Sequence, residues 1–177
     1  MAKNRAAVKL LITGRPGVGK TTLVKRVLET LGSHAMGFYT QEIREAGQRQ
    51  GFRIVTTWNE EGILAHKKLH SVHRVSRYGV NLCFLERVVA GIKKRLDEGA
   101  ILVIDEIGRM ELFSSKFRNW IEEVAPDPGI PFMATIAFKT RDPLVVKLKR
   151  TLPLWQVTLE NRDNLPQRVI ALFSSKA

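Results

Sequence analysis

Residues 8–13 form a short, nearly continuous apolar run containing Leu10, Leu11 and Ile12, the pattern of a strand buried on both faces of a parallel sheet. A glycine-rich segment follows. Leu23, Val24, Val27, Leu28 and Leu31 then recur at the spacing of one helix face, with Gly32 where a left-handed C-cap ends a helix. Residues 37–43 and 51–57 are rich in aromatic and β-branched types. The polar stretch 44–50 between them contains Gly47, and together they predict an antiparallel hairpin. Leu82, Leu85, Val88, Val89, Ile92 and Leu96 predict an amphipathic helix, closed by Asp97, Glu98 and Gly99 ahead of a second buried strand at 100–104. Phe117, Trp120, Ile121 and Val124 give another helical face, and Pro126-Asp127-Pro128-Gly129 turns the chain into a strand at 132–138. Asp142 before Pro143 is an N-cap and first-turn pair for a helix at 144–149, followed by a strand at 155–159 and a closing helix at 165–173. This alternation predicts an α/β fold, three layers around a mainly parallel sheet, with the hairpin at 37–57 inserted.

No repeat, low-complexity segment or linker divides the pattern, so one domain over 1–177 is expected. With 177 residues, 44% hydrophobic and 26% charged, the chain has the composition of an ordinary globular domain, long enough to need neither disulfides nor a structural metal. The single cysteine, Cys83, excludes a disulfide framework and reads as a small buried hydrophobe in a reducing compartment. The amino-terminal apolar run is too short for a signal sequence or membrane span, so a cytoplasmic protein is expected, and a monomer is the expected state. Net charge is +12, which attracts polyanions at low salt. The basic residues are spread along the chain rather than gathered in one block, which favours a surface origin for the charge over a dedicated nucleic-acid partner.

Gly14, Arg15, Pro16, Gly17, Val18, Gly19, Lys20 and Thr21 satisfy G-x-x-x-x-G-K-[ST] between a predicted strand and a predicted helix. Glycines let successive N–H groups turn inward around phosphate oxygens, and the helix start aims its positive end at the same anion. In this reading Lys20 reaches the β- and γ-phosphates, Thr21 ligates Mg²⁺ through its hydroxyl and Thr22 bonds the α-phosphate. The apolar run at 100–104 ends in Asp105 and Glu106, the Walker B position, and the carboxyl ends of strands in an open α/β sheet share one crevice. Asp105 is the candidate for holding Mg²⁺, and Glu106 for orienting and deprotonating the attacking water. The chain has no Asn-Lys-x-Asp segment of the kind that reads guanine.

Taken together, residues 14–22, 37–44, 51–55, 77–80, 105–112 and 161–163 closely resemble the THEP1 nucleoside-triphosphatase family over nearly the whole chain. The resemblance implies a small P-loop enzyme hydrolysing ATP, GTP, CTP and UTP with little base selectivity. It implies nucleotide contacts along 14–21 and along Ile101, Leu102, Val103, Ile104, Asp105, Glu106, Ile107 and Gly108. Arg109 stands where the family often has lysine; it is a candidate to stabilise γ-phosphate charge or to pair with Glu111. Arg162 is a further candidate for the nucleotide, against a turn-forming role for 161–163. Thr135 admits a phosphate-sensing role or plain packing.

His66, His70 and His73 are spaced for one helix face, but no helical pattern supports that stretch and flanking lysines repel a cation, so surface histidines are expected rather than a zinc site. Arg44, Arg49 and Arg53 make the hairpin a candidate lid over the nucleotide. Two other functions share the motif: a kinase passing the γ-phosphate to a nucleoside, nucleotide or polynucleotide end, and a nucleotide-switched nucleic-acid-binding module.

Overall fold

The core strand β1 (Lys9–Thr13) pairs in parallel with two others that come from far downstream in the chain. The computed structural model describes residues 6–97 and 99–174; the first five residues of the predicted amino-terminal segment and Glu98 of the predicted turn lie outside the described residues. After β1 come α1 (Lys20–Leu31), β2 (Ala35–Glu45), β3 (Gln48–Thr56), β4 (Glu61–His66), β5 (Arg74–Val75), β6 (Tyr78–Val80) and α2 (Leu82–Arg95). The chain continues through β7 (Ile101–Ile107), α3 (Ser115–Val124), β8 (Phe132–Ile136), α4 (Pro143–Thr151), β9 (Leu154–Gln156) and α5 (Leu165–Ser174). Among the described residues the strands make one sheet in the order β5-β6-β4-β3-β2-β7-β8-β1-β9. It is parallel from β2 to β9 and antiparallel from β2 out to β5.

Two apolar layers explain the uninterrupted strand runs. On β7, Leu102 and Ile104 pack toward Phe84, Leu85, Ile92, Phe117, Trp120 and Leu144 from α2, α3 and α4. Ile101 and Val103 face the opposite layer, with Leu23, Val24 and Val27 of α1 and Val169 and Phe173 of α5. Successive side chains of a strand point to opposite faces, so a strand covered on both sides must be apolar at every position. Each fully buried Leu or Ile contributes about 1.5–3 kcal/mol relative to exposure. Asp142 does cap α4, accepting from the Leu144 and Val145 N–H groups, and is held by Arg118 at 2.6 Å. Gly32 ends α1 with φ of 53° and an N–H bond to the Leu28 carbonyl.

The hairpin is longer than the sequence pattern indicates. Its strands run to Glu45 and Gln48 around a two-residue turn at Ala46 and Gly47, and it extends the sheet through β4 to β6 rather than standing apart from it. Those outer strands carry little sequence signal: β5 has two residues, β6 has three, and Ile63 in β4 is exposed. Cys83 also departs from expectation and is exposed. The buried face of α2 is carried by Phe84, Leu85, Val88, Val89 and Ile92, and Cys83 falls outside that stripe. Among the described residues no helix is long and apolar enough to cross a membrane.

Candidate nucleotide site

The loop after β1 and the carboxyl ends of β2, β7 and β8 surround a cleft of about 1280 Å³. Gly14, Arg15, Pro16, Gly17, Gly19, Lys20, Thr21 and Thr22 line it, and Asp105 and Glu106 enter it from β7. Gly19 adopts φ of 113°, which a side chain resists, and stands directly before α1, where no side chain caps the helix. No acidic residue occupies the first turn, so that turn's N–H groups and the positive end of the helix dipole are available to an anion. Val18 instead turns its side chain into the core beneath the loop and contributes backbone only. Lys20 Nζ donates to the Gly14 carbonyl at 3.0 Å and the Arg15 carbonyl at 3.4 Å.

Asp105 is the most constrained group in the cleft. Its Oδ2 accepts from the Thr21 hydroxyl at 2.8 Å and from the Thr40 N–H at 3.4 Å, and its Oδ1 accepts from the Thr135 hydroxyl. Burial pushes its carboxyl up, while the bonds from Thr135, Thr21 and Thr40 and the charge of Lys20 draw it back. Thr135 is therefore a positioning partner of Asp105, fully buried, rather than a phosphate contact. The Thr21 hydroxyl and the Asp105 carboxylate bring hard oxygen donors together at the end of the phosphate loop. That suits Mg²⁺, which habitually takes one or two protein oxygens beside phosphate oxygens and water.

Glu106 lies next along β7, its pKa raised by burial and then by the Asp105 charge, with Lys20 pulling the other way. Its carboxylate packs against the turn at Gly108. A Cβ on Gly108 would stand 2.8 Å from Glu106 Oε1 and 3.0 Å from Glu111 Oε2, so only glycine lets the chain pass between the two acids. Glu111 is buried, accepts from the Gly108 N–H at 3.2 Å, and is pushed up to about 8 by burial and then by the charge of Glu106. A buried acid with its pKa above the unfolded value holds a proton that the unfolded chain has released, so its contribution declines from the unfolded pKa, about 4.3, up to about pH 8. Glu111→Gln, which keeps the shape without the titration, is expected to raise Tm by several degrees at about pH 8.5 and far less at about pH 5; thermal melts at both values check this.

Some of the expected contacts lie elsewhere. Ile101, Leu102, Val103 and Ile104 are buried in β7 between the two apolar layers, and their side chains reach no cleft. Ile107 and Gly108 border a different cleft, as does Arg109. Arg109 makes no ion pair with Glu111 among the described residues; Glu111 points inward to the Gly108 amide while Arg109 is exposed. Arg162 lies beside the loop in a small recess of about 170 Å³ with Gly19, Thr22 and Arg26, and its Cδ would be 3.9 Å from a Cβ on Gly19. Its neighbour Asn161 builds the turn, accepting from the Thr158 N–H and donating to the Gln156 carbonyl.

Arg44, Arg49 and Arg53 of the hairpin do line the nucleotide cleft, with Glu42 bridging the first two at 2.6 and 3.0 Å. Thr40, Lys25 and Lys139 are among the lining residues that the sequence reading does not single out. Lys139 had a readable signal, since it follows β8 just as Asp105 stands near the end of β7. Among the described residues no group of three or more His, Cys, Asp or Glu side chains gathers for a metal, and His73 packs its ring on Phe113 at 5.2 Å.

A family model described as NTPase matches residues 9–170. The nucleoside-triphosphatase THEP1 of Thermotoga petrophila is 46% identical over 166 residues, covering 92% of this chain and 91% of that one. The crystal structure of THEP1 from the hyperthermophile Aquifex aeolicus superposes with a TM-score of 0.86 at 40% identity, covering 94% of this chain and 99% of that one. The solution structure of a human cancer-related nucleoside triphosphatase gives 0.80 at 32% identity, with coverage of 97% and 100%.

Proposed function

The chain belongs to the NTPase family, with relatives named as nucleoside-triphosphatases, and from this premise we propose that it hydrolyses nucleoside triphosphates with Mg²⁺ to the diphosphate and phosphate, with low base selectivity. The observation that carries the reading is the meeting of the Lys20–Thr21 end of the loop with Asp105 and Glu106 in one cleft. The loop amides and Lys20 hold the phosphates. Thr21 and Asp105 would hold the ion, which supplies charge neutralisation at the phosphate oxygens. Glu106 orients the water and takes its proton. Burial serves that role, because a carboxylate whose pKa is raised toward neutrality is a stronger base while still ionised.

Weak base selectivity is supported by what surrounds the loop. Arg162, beside Gly19 and Thr22, offers a flat cation to whichever base lies there, and stacking on a guanidinium does not depend on base-edge pattern. The test is phosphate release from ATP, GTP, CTP and UTP with no acceptor present. Rates within about tenfold of each other, lost on chelation of Mg²⁺, are expected, since stacking discriminates less than edge recognition does. Silence until a nucleoside acceptor is added would replace the hydrolase with a kinase.

A further inference from the structure

A second cleft, of about 1090 Å³, opens on the other side of the segment that follows β8. Ala137, Phe138 and Lys139 line both clefts, so the two share a wall. Arg74, Arg109, Lys139 and Arg141 converge on the second cleft from segments distant in sequence. None of the four has a carboxylate partner among the described residues, and Arg74 donates only to the Leu69 and Arg77 carbonyls. The carboxylate in the lining, Asp142, is already taken by Arg118 and by the start of α4. Side chains of one sign facing each other raise the local potential and attract an extended anion. Phe113, 39% exposed, adds an aromatic ring to the same lining.

We propose that this second cleft binds single-stranded nucleic acid, with Arg74, Arg109, Lys139 and Arg141 on the phosphates and Phe113 against a base. Several cations gathered in one cleft suit a phosphate chain better than one phosphate ester, and a partly exposed aromatic beside them, backed by the His73 ring, suits unpaired bases rather than a duplex. The net charge of +12 has the matching sign. Dispersal of the basic residues along the sequence argued against such a partner, but the fold gathers part of that charge in one place.

The position also couples the two clefts, a consequence that rests on the proposed hydrolysis. Gly108 lines the second cleft and packs against the carboxylate of Glu106 in the first. A strand held by Arg109 therefore bears on the turn that orients the base, and turnover responds to it.

The test is fluorescence anisotropy of labelled oligo-dT and oligo-U of about 20 nucleotides with the full chain, a length that spans one such groove. Three variants are compared with wild type: Arg141→Glu, Arg74→Glu with Arg141→Glu, and Lys93→Glu with Lys94→Glu on the exposed face of α2 as a control of equal charge change. Binding is expected to weaken about tenfold or more in the double cleft variant, and its salt slope to fall by about 1.4 for two lost phosphate contacts. Arg141→Glu alone moves in the same direction, and the α2 control keeps the wild-type salt slope. Phosphate release without nucleic acid stays at the wild-type rate in all three. No binding by wild type, equal losses in the cleft and α2 variants, or equal competition by a duplex would each overturn the proposal. So would transfer of γ-phosphate to an added nucleoside by a protein that leaves the oligonucleotide free. The binding measurement needs no turnover, so failure of the hydrolase reading appears separately, as absent phosphate release.

Discussion

Glu106→Gln is expected to lower phosphate release by about 10²-fold or more while leaving triphosphate affinity within a few-fold of wild type. The substitution keeps size and shape, turns one acceptor oxygen into an amide donor, and removes the charge together with the ability to accept a proton. The surroundings make that ability matter. Glu106 is mostly enclosed, pressed against the Gly108 turn, and sits beside an Asp105 carboxylate committed to three hydrogen bonds. Asp105 therefore has no free geometry with which to replace it, and Glu111 faces the Gly108 amide instead. Lys20, the proposed phosphate ligand, is untouched, so affinity and turnover separate. Single-turnover kinetics with a parallel binding titration check the pair. Turnover near the wild-type rate would remove Glu106 from the role of base.

Much of this cleft was legible in the sequence because its parts are local. A phosphate loop is one continuous segment whose glycines, lysine and threonine have fixed spacing, and the apolar run of β7 gives way visibly to Asp105 and Glu106. The alternating fold was legible for a related reason: strands buried on both faces leave apolar runs, and helices buried on one face leave a stripe. The reading stopped where a residue's partner is distant. Nothing in sequence sets Thr40 against Asp105; the parallel register of β2 on β7, with Phe38 opposite Ile104, does so. The strand assignment likewise ended at Ile104, although pairing of Ile107 with Ile136 carries β7 past the two acids. Arg109 follows them by only three residues yet leaves the nucleotide cleft, because the chain turns at Gly108. Outer strands β4 to β6 were missed because short strands at a sheet margin bury too few residues to leave a period.

Lys20→Ala is expected to weaken triphosphate binding by about 10²-fold or more, which is about 3 kcal/mol at 1.4 kcal/mol per decade, and thereby to abolish turnover at ordinary nucleotide concentrations. Its ammonium is held by the carbonyls of Gly14 and Arg15, inside the loop proposed to cradle the phosphates. Exchanging two carbonyl dipoles for two charged phosphate oxygens is favourable, since the ammonium then faces a full opposite charge rather than a partial one. The rest of the fold depends little on this side chain, for the loop is anchored separately by buried Val18 and by the bond from Leu23 N–H to the Gly19 carbonyl. The variant should therefore melt within a few degrees of wild type, which distinguishes lost phosphate contact from lost structure. Lys20→Arg should restore only part of the affinity, because a planar guanidinium does not fit the place of a compact ammonium. Calorimetric titration with a non-hydrolysable triphosphate reads both variants. Wild-type affinity in Lys20→Ala would mean that the triphosphate is held elsewhere than in this loop.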